Sequence, residues 1–89
     1  MERTFMITDA DGIHARPATA LIKAVTNSNS EVFAEAKGTT IKVKSILNML
    51  SLGLEQGDTI KFIANGEDEA AVLSELQSVM EKGLGVVHE

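Results

Sequence analysis

The sequence predicts an α+β fold: a two-layer open-faced sandwich in which three helices, in the order βαββαβα, cover one face of a four-stranded antiparallel sheet. Three observations predict it. Short segments alternate between apolar and polar residues, two longer stretches carry apolar residues at helical spacing, and polar or glycine-containing clusters separate them. Because the strands alternate and are not apolar throughout, the sheet should be antiparallel with one wet face.

Phe5 and Ile7 alternate within residues 3–8, the first strand. Asp9-Ala10-Asp11-Gly12 then reads as a loop. Ala18, Leu21, Ile22 and Val25 recur at helical spacing, so a helix should run from about residue 16 to 27 and dissolve in Asn27-Ser28-Asn29-Ser30. Val32, Ala34 and Ala36 give a second strand, Lys37-Gly38 a hairpin turn, and Ile41 with Val43 a third strand. Residues 45–53 form a short helix that Ser45 can cap and Gly53 can end. Gly57-Asp58 turns the chain into a fourth strand carrying Ile60, Phe62 and Ala64. The last helix, about 67–82, opens on acidic residues and places Val72, Leu73, Leu76, Val79 and Met80 on its core stripe. The tail 85–89 should fray.

Eighty-nine residues make one domain, 1–89, with a modest core. No cysteine is present, which excludes disulfide and thiolate chemistry. Thirteen acidic against eight basic residues disfavour direct binding of nucleic acid or an anionic membrane, and three Phe without Trp or Tyr leave little surface for base stacking. The start Met1-Glu2-Arg3-Thr4 shows no apolar signal region, and no apolar run reaches the roughly 20 residues of a membrane span, so a cytoplasmic protein is expected.

The chemistry concentrates in Gly12-Ile13-His14-Ala15-Arg16-Pro17-Ala18-Thr19. A helix should begin near His14 and Arg16, and its first backbone N–H groups favour an anion such as phosphate. A neutral imidazole nitrogen can attack phosphorus while Arg16 offers a planar fork of donors. Gly12 permits a tight approach of the backbone, and Pro17 fits a first turn. Spacing alone leaves another reading open, because a His before a helix is usually a solvated or capping residue. No metal-ligand spacing includes His14 and His88, and no cofactor motif is present.

A second stretch, Lys44-Ser45-Ile46-Leu47 continuing to Ser51-Leu52-Gly53-Leu54, makes the combination specific. Together the two stretches resemble the HPr family, the histidine-containing phosphocarriers of the bacterial phosphoenolpyruvate-dependent sugar phosphotransferase system, in the Gram-positive form with a regulatory serine. The resemblance runs from the first strand to about Gly83. It implies a carrier, not an enzyme turning over alone, that takes phosphate onto the δ nitrogen of His14 from phosphorylated enzyme I and hands it to the A domains of sugar-specific enzymes II. Arg16 and the loop and helix start at Gly12, Ala15 and Pro17 would surround the phosphate. It further implies that Ser45 is phosphorylated by HPr kinase/phosphorylase to give a corepressor for the catabolite-control repressor, and that Ile46, Leu47 and Leu50 form an exposed partner-binding patch. Ser45 also has the plain role of helix cap, and Leu50 could equally fill the core; Met49 and Leu52 should face inward. Asp11 departs from the small neutral residue common in the family, and a carboxylate there repels phosphate unless the chain turns it outward. A paralogue acting mainly as a serine-phosphorylated corepressor is the alternative, and the presence of His14 and Arg16 argues against it. Nothing in the sequence requires an oligomer, so a monomer is expected.

Overall fold

The computed structural model describes residues 1–8, 15–83 and 87–88, with side chains described for 1–8 and 17–82. The elements are β1 (Glu2–Met6), α1 (Ala15–Thr26), β2 (Ser30–Ala36), β3 (Thr39–Lys42), α2 (Ile46–Leu50), β4 (Thr59–Gly66), α3 (Glu69–Gly83) and β5 (Val87–His88). The order βαββαβα expected from the sequence is present, with all strand pairs antiparallel in the sheet order β3-β2-β4-β1-β5. The fifth strand is additional. Val87 and His88 pair with Met6 and Phe5 at the outer edge of β1, so the tail is not simply frayed as the sequence suggested. Two residues are too few for any periodic signal.

Register explains the core. Phe5 lies opposite Ile60, Phe62 opposite Ala34, and Ala64 opposite Val32, so one face of the pleat is apolar across three strands. All six side chains are buried, and the Phe5 and Phe62 rings meet at 6.1 Å between centroids in a tilted arrangement. Helix α1 lays Ala18, Leu21 and Ala24 on that face, and α3 lays Val72, Leu73, Leu76 and Met80 there. Ile22, Val25 and Val79 pack at the margin. The other face stays wet: Lys61 sits between Glu2 and Glu35 at 3.9 and 3.7 Å, long ion pairs of little energetic weight.

Two connections have backbone geometry the sequence only hinted at. The β2–β3 hairpin closes on two residues of positive φ, Lys37 at 53° and Gly38 at 76°, the twist this loop length demands. A lysine is strained there, and contacts hold it: its Nζ donates to the Gly53 carbonyl at 2.6 Å and lies 3.1 Å from Asp58 Oδ2. At Gly66 an added Cβ would come within 2.6 Å of the Ser30 Cα, so the close approach of β2 and β4 admits only glycine.

Asp68 ties the start of β2 to the turn before α3. Its carboxylate accepts from the Ser30 hydroxyl and, at 2.9 Å, from the Asn29 backbone N–H. These bonds, the hydroxyl first and the backbone second, hold its pKa below the ordinary aspartate value. Asp58 is lowered too, by the Glu55 backbone N–H and then by the Lys37 ammonium. A carboxyl with a depressed folded pKa contributes stability that is present above its unfolded pKa, about 3.9, and is lost as pH falls through the folded value. Chemical denaturation as a function of pH should therefore show stability declining below about pH 4, with a shallower decline in Asp68→Asn; an identical decline in both proteins would remove Asp68 from that role.

Candidate functional site

Helix α1 begins at Ala15, the residue that follows His14, within one residue of the start at about 16 expected from the sequence. The helix is oriented by its buried stripe, which begins early: Pro17 and Ala18 are already buried in the first turn. Proline at this point disrupts no helical hydrogen bond, and Ala15 and Arg16 carry N–H groups without an intrahelical acceptor. No acidic residue lies in the first turn, so no carboxylate there competes with an anion for the positive end of the helix. Gly12 and His14 lie outside the described residues, as does Asp11. Arg16 is the second residue of α1 by its backbone.

The segment entering this site is held from a side the sequence did not reveal. Ile7 donates its N–H to the Asp58 carbonyl at 2.9 Å and accepts from the Gly57 N–H at 2.7 Å. Gln56 Nε2 donates to the Thr8 carbonyl at 3.0 Å. The turn 55–58 thus fixes the chain just before residue 9. No local pattern could have announced it, because the paired residues are some fifty positions apart in the chain.

Helix α2 packs against α1 and β3. Ser45 is its N-cap: in extended geometry its Oγ accepts from the Asn48 N–H at 3.1 Å, and the side chain is exposed. The helix is shorter than expected from the sequence. Residues 51–53 leave it as a tight turn, with Leu52 and Gly53 donating to the carbonyls of Met49 and Leu50 at 3.2 and 3.1 Å, and Gly53 takes φ 60°. Five residues with one buried face sort the apolar side chains. Met49 is fully buried and Leu52 nearly so, as expected. Leu47 is 80% exposed and Ile46 36%. Leu50, which the sequence could not assign, is half-buried at the margin of the core. Asn48 Oδ1 is buried without a hydrogen-bond partner among the described residues. Lys23 and Lys44 are exposed and make no ion pair among the described residues.

The backbone N–H groups at the start of α1 suit an anion, and α2 presents Ile46 and Leu47 as a small exposed apolar surface. Among the described residues there is no group of side chains suited to hold a metal ion, and no helix is long and apolar enough to cross a membrane.

Residues 1–82 match the family model described as "PTS HPr component phosphorylation site". Solved structures agree. The histidine-containing phosphocarrier protein of Mycoplasma is 28% identical, with 92% of this chain and 93% of that one covered and a TM-score of 0.88. HPr-C-His from Thermoanaerobacter tengcongensis is 32% identical over 96% of each chain, with a TM-score of 0.85. Crh of Bacillus subtilis, a catabolite-repression protein solved as a swapped, intertwined dimer, is 32% identical over 84% of this chain and 86% of its own, with a TM-score of 0.71. With the family model spanning nearly the whole chain and the same fold in these relatives, the chain belongs to the HPr family of phosphocarrier proteins of the phosphotransferase system.

Proposed function

We propose that this chain accepts phosphate from phosphorylated enzyme I on His14 and passes it to the A domains of sugar-specific enzymes II. The observation that supports this most is the family match named for a phosphorylation site, in a chain where His14 immediately precedes α1. A bond from phosphorus to the imidazole Nδ1 forms as the bond to the donor breaks, and the same exchange runs again toward the acceptor. The Ala15 and Arg16 N–H groups offer fixed partial positive charge, and a guanidinium such as that of Arg16 supplies a planar fork of donors. A phosphoryl group must also leave, so an open helix end suits a carrier better than a closed cage would. The reading places this relay in the cytoplasm, with the protein acting as a monomer and using no cofactor.

Ser45 is proposed as the regulatory phosphorylation site for HPr kinase/phosphorylase, its product meeting the catabolite-control repressor. Its hydroxyl is exposed at a cap, where a phosphate gains from the free amides of the helix start and need not unfold it. The new charge would stand beside Ile46 and Leu47, opposing an apolar or acidic partner and favouring one that presents arginine.

Incubation with phosphoenolpyruvate and active enzyme I, followed by intact-protein mass spectrometry, should show one acid-labile phosphate in the native chain and none in His14→Ala. Labelling retained in that variant would move the acceptor elsewhere. No labelling of the native chain would instead favour a corepressor acting mainly through Ser45. The patch has its own check. Leu47→Ser should change stability by less than about 0.5 kcal/mol because the side chain is in solvent, whereas Met49→Ala should cost about 2–5 kcal/mol. Acceptance from enzyme I should fall at least about fivefold in Leu47→Ser, the effect of one lost interface anchor; unchanged acceptance would take Leu47 out of the docking surface.

A further inference from the structure

A groove of about 510 Å3 between β1 and α3 is lined, among the described residues, by Arg3, Ser74, Gln77, Ser78, Glu81 and Lys82, none of which belongs to α1 or α2. Ser74, Ser78 and Lys82 follow at four-residue intervals and form one line along α3, with Gln77 and Glu81 on the adjacent line. Arg3 reaches across from β1, and its Nη1 donates to Gln77 Oε1 at 2.9 Å. A neutral amide therefore positions the guanidinium, and Glu81 is the one carboxylate among the described residues that line the groove. Among the described residues neither Arg3 nor Lys82 makes an ion pair, nor do Lys23, Lys42 and Lys44; Arg3 and Lys82 line one concavity together.

We propose that this groove binds a small phosphate-bearing molecule carrying at least two negative charges. The free N–H groups of Arg3 suit two oxygens of one phosphate, Lys82 adds a point charge, and the Ser74 and Ser78 hydroxyls supply donors for the remaining oxygens. Several donors of different reach suit a tetrahedral anion better than a planar carboxylate. Glu81 opposes the ligand from the same wall and keeps the affinity modest. The site does not depend on transfer through His14.

The full chain carrying His14→Ala, titrated with inorganic pyrophosphate at constant ionic strength and followed by amide NMR, tests this independently of the carrier reading. Saturable shifts at Arg3 and along residues 74–82 are expected, with half-saturation below about 1 mM. Lys82→Gln should weaken binding at least about fivefold, Arg3→Gln likewise, and Glu81→Gln should tighten it about threefold, each the effect of one charge at close range. The Lys82 and Glu81 side chains are exposed, so those two variants decide the matter even if Arg3→Gln is unstable. Shifts that never saturate, shifts clustered instead at the start of α1, unaltered binding in Lys82→Gln and Glu81→Gln, or equal binding of citrate would each overturn the proposal.

Discussion

The structure depends on covering one sheet face. Phe5, Ile60, Phe62, Ala34, Val32 and Ala64 form an apolar surface across β1, β4 and β2 that no single helix could remove from water. Two helices lying side by side can. Ala24 and Asn27 of the α1 end share a surface groove with Asp68, Ala71 and Val72 at the start of α3, so the two helices run antiparallel. That arrangement sets where α1 can begin. With Pro17 and Ala18 already buried, its free amides are held at the rim of the sandwich and not left to fray in solvent.

The same burial accounts for the shape of α2. One turn and a half cannot hide four large apolar side chains, so Met49 takes the core, Leu50 the margin, and Ile46 and Leu47 are left outside. In the proposed carrier that surplus is the docking surface, and its cap residue Ser45 is where a phosphate would change the surface without changing the fold. The turn 55–58 contributes from the opposite flank by fixing Ile7 and Thr8. A single lysine connects these parts: Lys37, at the hairpin tip, bonds the Gly53 carbonyl after α2 and pairs with Asp58 in that turn.

Much of this was legible because burial writes period into sequence. Phe5 and Ile7, or Ile60, Phe62 and Ala64, alternate because the pleat sends alternate residues inward, and α3 shows its stripe because it lies flat on the sheet. Helix α1 was legible in its extent but less so in its facing: Ala24 lies inside while Ile22 and Val25 sit at the margin, a rotation that depends on α3 and not on α1 itself. The hairpin at Lys37-Gly38 was recognised, yet the reason a lysine is tolerated there lies 16 and 21 residues away. Leu50 could not be assigned, since its exposure is set by the packing of α2 on α1 and β3. Strand β5 and the Gln56 contact left no local trace at all. The family, in contrast, was legible from two short stretches, and the model that matches residues 1–82 is that of the family they resemble.

In the proposed carrier the phosphate on His14 is held by the start of α1. Amide NMR of the chain before and after phosphorylation by enzyme I tests this, because Ala15 and Arg16 carry first-turn N–H groups without an intrahelical acceptor, whereas Pro17 has no N–H. These two amide protons should move downfield further than any others in the described fold, and return when the phosphate is lost. Largest shifts elsewhere, with Ala15 and Arg16 unmoved, would contradict it.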